Sequence, residues 1–318
     1  MIDAHEGQRY RMLFVVGCPR SGTTWIQLIL SQFDAIATAP ETQIFAYYLV
    51  QFERQWEEER RGENTPLGRA GLSRVLDEAE FLELCGRSAR MVLDKILSRK
   101  PGAQVVVEKS PKHALHASFI RRVFPDAYFL HVIRDPRDTA ASLMAAGRTW
   151  GDSWAPRGPV QAARMWVEHI RRARQVATGD GRYREIRYER VKEDPETELA
   201  GVLEWLGVST TAAERTRAIE ACDFERLKAQ PSTPDLPLPS VRAPDGFFRR
   251  GESGSWRTDL SRSELRVIEH ICGPLMTELG YERVTSGARA PARVLMHDAV
   301  HRVRESIDWQ LARALSHL

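Results

Sequence analysis

The stretch Gly17-Cys18-Pro19-Arg20-Ser21-Gly22-Thr23-Thr24-Trp25 lies between an apolar run and a helically spaced segment, and its residue types suit an anion. Backbone N–H groups at a helix N-terminus form an anion site, reinforced by the helix dipole, and glycines let the chain close around the oxygens. Arg20 adds a planar fork of donors that matches a phosphate or sulfate group. The GxxxxG spacing is that of a nucleotide P-loop, but Thr23 stands where the lysine of GxxxxGK[ST] belongs. That lysine reaches the terminal phosphates of a nucleoside triphosphate beside magnesium, so its absence weighs against a kinase. Cys18 reads either as a thiol activated by the helix N-terminus or as a small residue that fits the turn. The whole loop also reads as an ordinary strand-to-helix turn.

A second constellation is His131-Val132-Ile133-Arg134-Asp135-Pro136-Arg137-Asp138-Thr139-Ala140-Ala141-Ser142. Arg134 falls at the carboxyl end of an apolar run, where open α/β sheets bind ligands. Ser142 follows two helical turns later, within reach of the same anion. Asp135, Arg137 and Asp138 also read as caps and charges of a helix start.

The elements that must position these groups follow from periodicity. Met12–Gly17 reads as a buried parallel strand and Thr23–Phe33 as the helix after it. The pattern repeats at Gln104–Glu108 with Ala114–Val123, and at Ala127–Ile133 with Pro136–Ala146. Tyr183–Tyr188 reads as a further strand, and Pro195–Leu206 as a helix closed by Gly207. Strands alternating with helices predict an α/β protein, a P-loop-like three-layer fold with a central parallel sheet and helices on both faces. Residues 1–285 form the expected domain. Within it, 43–100 is a helical insertion, including the charged Phe52–Arg61 and the periodic Ser73–Leu84.

Gln230–Gly246 carries five prolines and must be a long loop. Arg148–Gly158, with Trp150 and Trp154, reads as an acceptor-side lid or as surface packing. Ser261–Leu279 is a capped amphipathic helix. Arg293–Leu315, within 286–318, is a second one, which packs on the domain or serves dimerisation or a membrane surface.

Composition narrows the partners. The formal charge of +3 over 318 residues, without a dense basic run, points to anionic small molecules rather than nucleic acid. Four scattered cysteines without a CxxC pair support neither a disulfide framework nor a zinc site. No stretch approaches a membrane span and the first residues are polar, so the expectation is a cytoplasmic protein without integral membrane contact.

Together, CPRSGTTW, VIRDPRDTAASL and FFRRGESGSW resemble the family of sulfotransferases that use 3′-phosphoadenosine 5′-phosphosulfate (PAPS). The resemblance implies that Arg20, Ser21, Gly22, Thr23, Thr24 and Trp25 belong to the 5′-phosphosulfate loop, and that Arg134 and Ser142 bind the 3′-phosphate. Arg249, Arg250 and Gly251 match the family's RKGxxGDWK loop, with Arg250 in place of lysine and Ser255 in place of aspartate. Tyr188, in a segment similar to YEDL…FLG, would lie near the adenine. Glu41, in Ala39-Pro40-Glu41-Thr42, resembles the catalytic glutamate of the tyrosylprotein branch. His113 is the alternative base, because Glu108-Lys109-Ser110-Pro111-Lys112-His113 ends a strand at the same sheet edge. Lys109 resembles the lysine beside the leaving group, a role shared with Arg20.

The implied reaction moves the sulfuryl group from PAPS to a hydroxyl or amine of a small-molecule acceptor, with no metal required. A magnesium-dependent small-molecule kinase and a non-catalytic nucleotide-binding module are the other two readings. The acceptor is open among sugars, lipid or polyketide alcohols, phenols and tyrosyl peptides.

Overall fold

Strand β1 (Arg11–Gly17) is flanked on one side by β3 (Val105–Lys109) and on the other by β4 (Tyr128–Ile133), every pairing parallel. The short β2 (Ile36–Thr38) and β5 (Tyr183–Arg187) complete a five-stranded sheet in the order β2-β3-β1-β4-β5. The computed structural model describes residues 10–62, 71–229, 247 and 251–285.

Both faces of the central strands are buried, so β1, β3 and β4 are largely apolar and their alternation sorts residues between two cores. Met12, Phe14, Val16, Val106 and Phe129 point into one core. Its other walls are α2 (Val50–Arg61), α3 (Glu78–Leu97) and α4 (Ala117–Val123). At its centre Phe14 stacks on Phe129, 5.6 Å between ring centroids, and meets Phe45 edge-on at 5.8 Å. Leu13, Val15, Val107, Leu130 and Val132 point into the other core. That core is closed by α1 (Thr23–Ser31), α7 (Tyr188–Glu193), α8 (Pro195–Trp205), α9 (Ala212–Ala221) and α10 (Phe224–Ala229).

The chain divides into two units. Met1–Arg134 with Glu168–Gly251 holds the sheet, and Asp135–Val167 with Glu252–Leu318 holds α5 (Pro136–Gly147), α11 (Trp256–Asp259) and α12 (Arg262–Glu278). The boundary falls inside α6 (Pro159–Ala173). In the second unit Glu269, fully buried, accepts from Arg137 Nη1 at 2.9 Å and from the N–H groups of Val284 and Thr285.

The parallel α/β sheet with helices on both faces agrees with the expectation, and several boundaries differ. β2 is too short to show a period. The insertion opens with a π-helical turn at Ile44–Leu49, and the segment expected to be helical from Ser73 starts instead at Glu78, where Asp77 closes a capping box with Glu80. Ala114 belongs to a 3₁₀ turn, Pro111–His116, ahead of α4. Gly207 ends α8 as read: its φ of +64°, with Gly207 N–H to Glu204 O and Val208 N–H to Leu203 O, is a Schellman motif. The proline-rich 230–246 and the helix read at 293–315 lie outside the described residues. Among the described residues no helix is long and apolar enough to cross a membrane.

Candidate active site at the carboxyl ends of the strands

The loop between β1 and α1 is shaped by two residues in the left-handed region, Arg20 at φ +73° and Gly22 at φ +94°. At Gly22 the reason is visible, since a Cβ there would lie 2.7 Å from Cε2 of Tyr188. Ser21 is 1% exposed and its hydroxyl oxygen has no hydrogen-bond partner among the described residues. A buried, unanswered hydroxyl in such a loop fits a ligand that supplies the missing oxygen. Burial pushes the Cys18 thiol well above its ordinary value, which leaves it the space-filling role and not the reactive one.

Arg134, at the end of β4 and 8% exposed, places its guanidinium 4.4 Å over the Tyr188 ring and donates to the Arg20 carbonyl at 3.3 Å. Tyr188 also packs edge-on against Trp25 and donates its hydroxyl to the Gly251 carbonyl at 2.7 Å. The Trp25 indole N–H donates to the Cys222 carbonyl, so Trp25 anchors α1 to the end of α9. Arg20 Nη2 donates to the carbonyl of Phe247, the first residue of FFRR. Thus the first loop, the end of β4, the start of α7 and Gly251 meet at one sheet edge. Arg249 and Arg250 lie outside the described residues.

Glu41 projects from the loop after β2, its side chain 37% exposed. Lys109, only 3% exposed, donates through Nζ to Glu41 Oε1 at 2.5 Å and to the hydroxyl of Thr24 at 3.1 Å. Gln43, itself left-handed at φ +54°, turns back and donates from Nε2 to Glu41 Oε2 at 2.6 Å. The carboxylate is therefore gripped at both oxygens and partly open to solvent.

His113, read as the alternative base, is fully buried against Phe45 and Phe14. Its Nε2 accepts the Phe45 backbone N–H at 3.2 Å and its Nδ1 lies 2.7 Å from Glu108 Oε2. An imidazole that accepts at Nε2 carries its proton on Nδ1. Both nitrogens are thereby committed, and the ring has none to offer an acceptor. Burial alone would raise the Glu108 carboxyl, but the pull of His113 and hydrogen bonds from His113, Ser110 and Thr42 outweigh it and hold the group below its usual range.

Ser142 lies on α5 and is 9% exposed. Asp138, read from sequence as a helix-start charge, accepts from the backbone N–H groups of Gly254 at 2.7 Å and Trp256 at 2.9 Å, and from Ser255 Oγ at 3.2 Å. It holds the GSW end of the third motif, and Ser255, the departure from the family pattern, is one of its partners. Sequence reading gave Glu108 no role of its own and took Asp138 only as a charge of the helix start. The available signal was an acidic residue within each quoted motif, but the Thr42 that donates to Glu108 lies 66 residues away and the partners of Asp138 lie 116–118 away. Trp150 and Trp154 pack with ring centroids 5.6 Å apart, and Arg157 donates to the Gly147 carbonyl at 2.8 Å.

Comparison with known proteins fits this geometry. Residues 13–212 match the model of the sulfotransferase family. The nodulation protein NoeE of Sinorhizobium fredii is 26% identical over 304 residues, covering 87% of this chain and 67% of NoeE. Protein-tyrosine sulfotransferase 2 of Gallus gallus is 25% identical over 293 residues, covering 89% and 74% of the two chains. Among solved structures, mouse sulfotransferase SULT7A1 complexed with PAP superposes with a TM-score of 0.56 at 16% identity, over 86% of this chain and 88% of that one. The sulfotransferase domain from the curacin biosynthetic pathway gives 0.53 at 17%, over 86% and 98%.

Proposed function

The chain belongs to the sulfotransferase family, and from that membership we infer that it is an enzyme that transfers the sulfuryl group of PAPS to a hydroxyl or amine of a small-molecule acceptor, releasing adenosine 3′,5′-bisphosphate. The observation that carries the catalytic assignment is Lys109, which touches both the phosphate loop at Thr24 and the carboxylate of Glu41.

When bound, PAPS supplies an activated sulfuryl group. The protein must hold its two charged ends, remove the acceptor's proton and offset the charge left on the departing phosphate. Ser21, with its unanswered buried hydroxyl, and the N–H groups opening α1 receive the phosphosulfate. Arg134 takes the 3′-phosphate, with the Tyr188 ring beneath its guanidinium. Ser142, Arg249 and Arg250 are assigned to that phosphate by the motifs alone. Glu41 takes the acceptor proton as the new bond to sulfur forms and the bridging S–O bond breaks, while Lys109 and Arg20 neutralise the leaving oxygen. These fixed cations make a divalent metal unnecessary. The contacts at both nitrogens of His113 support Glu41 over His113 as the base.

The test is calorimetric titration with adenosine 3′,5′-bisphosphate in EDTA, beside ADP and ATP, on the wild type and Glu41→Gln. The bisphosphate alone should bind tightly to both proteins, and Glu41→Gln should lose about 10²-fold or more of its turnover, the usual worth of a general base. Metal-dependent preference for ATP would overturn the donor assignment, and full turnover by Glu41→Gln would overturn the base.

A further inference from the structure

The loop that carries Glu41 has no secondary structure of its own until the π-helical turn begins at Ile44. The backbone N–H groups of residues 42–45 are nonetheless all answered, and by side chains. Thr42 N–H donates to Glu108 Oε1 at 3.1 Å, Gln43 N–H to Ser110 Oγ at 3.1 Å, Ile44 N–H to Thr42 Oγ1 at 3.2 Å, and Phe45 N–H to His113 Nε2 at 3.2 Å. The acceptors are coupled to one another. Ser110 and Thr42 donate their hydroxyls to Glu108 Oε1 at 2.7 and 2.8 Å, and His113 Nδ1 lies 2.7 Å from Glu108 Oε2. Glu108, Ser110 and His113 are each at most 2% exposed.

A carboxylate at that depth is costly unless every lone pair is used. A cheaper core was open to this sequence, because Glu108 pairs in register with Phe14 and faces the same aromatic cluster. Strand alternation sends the next residue, Lys109, to the opposite face, where it meets Thr24 and the carboxylate of Glu41. Two consecutive residues of β3 thus hold Glu41 from opposite ends, Glu108 through the backbone that follows it and Lys109 through its oxygens.

We propose that Glu108, Ser110 and His113 are positioning residues that set the place of Glu41 by gripping the backbone N–H groups of residues 42–45, a role that rests on Glu41 being the base. They touch no reactant. Their effect is to keep the carboxylate within reach of the acceptor proton while the surrounding loop lacks a regular ladder of its own.

The experiment compares Glu108→Gln, Ser110→Ala, His113→Gln and His113→Leu with the wild type and with Glu41→Gln. Three quantities are read: hydrogen exchange of the amides of residues 42–45, calorimetric binding of adenosine 3′,5′-bisphosphate, and its release from PAPS with a mixed panel of phenols, alkyl alcohols and sugars. Ser110→Ala, Glu108→Gln and His113→Leu should exchange those amides and lose kcat by about tenfold or more, with the acid limb of the pH–kcat profile displaced. Bisphosphate affinity should stay within about twofold. His113→Gln, whose amide oxygen can accept the Phe45 N–H, should recover much of what His113→Leu loses. In the residual activity of Glu41→Gln, the added substitutions should cost nothing further.

Faster exchange with unchanged kcat and pH profile would overturn the proposal, as would an equal loss with and without Glu41. Failure of the base assignment is read separately, as full turnover by Glu41→Gln alone. Ser110→Ala removes a single oxygen and carries the test if the His113 variants do not fold.

Discussion

Gly22 shows how tightly the phosphate loop is specified. Its φ of +94° is unfavourable for any residue with a Cβ, and that atom would lie against the Tyr188 ring that also supports Arg134. Gly22→Ala should therefore push Tyr188 away from both loop and arginine. We expect a stability loss of about 1–3 kcal/mol from the strain, read by urea denaturation. Affinity for adenosine 3′,5′-bisphosphate should fall by at least about tenfold, read by calorimetry. Unchanged affinity would mean that the donor does not use this loop. That Arg20, Arg134 and Lys109 gather around the loop after β1 was legible in the sequence, because each sits inside a contiguous motif next to an apolar strand. The work of Glu108 was not, since its partner Thr42 is 66 residues away and no local period links them. For His113 the sequence left its use open, because a histidine beside a strand end says nothing about which way its nitrogens point; in the fold they face the Phe45 N–H and Glu108.

Strands β4 and β5 carry a second, partly buried polar cluster around the buried His131, and it sets a pH dependence. His131 Nδ1 lies 2.7 Å from the Tyr183 hydroxyl, which donates to Glu185 Oε1 at 2.6 Å, and Arg174 Nε donates to the same oxygen at 2.6 Å. Desolvation lowers the His131 value although Glu185 pulls it up, and His116 is lowered to about 4, chiefly by burial. Below the ordinary histidine value of about 6.5 the unfolded chain takes up protons that the folded chain refuses, so stability falls as pH falls. Glu185 acts in the same direction lower down. Burial would raise its carboxyl, but hydrogen bonds from Arg174, His131 and Tyr183 hold it well below its usual range. Urea unfolding at pH 7.5 and pH 5 should show the loss, with a slope of up to about 1.4 kcal/mol per pH unit from His131. His131→Gln and His116→Gln should each flatten it, whereas an unchanged slope in both would remove these imidazoles as the cause. Strands β1, β3 and β4 were legible as apolar runs, and α8 and α12 as capped periods. The three-residue β2 was not, because it is too short for a period, and α3 slipped from Ser73 to Glu78 because the capping box at Asp77 outweighed the apolar spacing before it.

At the scale of the whole molecule, a donor that binds only the folded chain must stabilise it by mass action. At a concentration about a hundredfold above its Kd, adenosine 3′,5′-bisphosphate adds about 2.7 kcal/mol to the unfolding free energy. For a chain of this size that moves the thermal midpoint by several degrees. On the proposed reading the charge that meets its phosphates comes from Arg20, Lys109 and Arg134, which are covalently part of the fold, so the shift should be the same in EDTA and in magnesium. High salt should reduce it only modestly, because Lys109 and Arg134 are at most 8% exposed and buried charges are poorly screened. Arg134→Ala should cut the shift without changing the midpoint of the unliganded protein by a comparable amount, since its guanidinium lies at the ligand edge of β4 rather than in either core. A shift that appears only with magnesium, or an equal shift with ATP, would place the anion site in the service of a nucleoside triphosphate and would require a different reading of the Thr23 position.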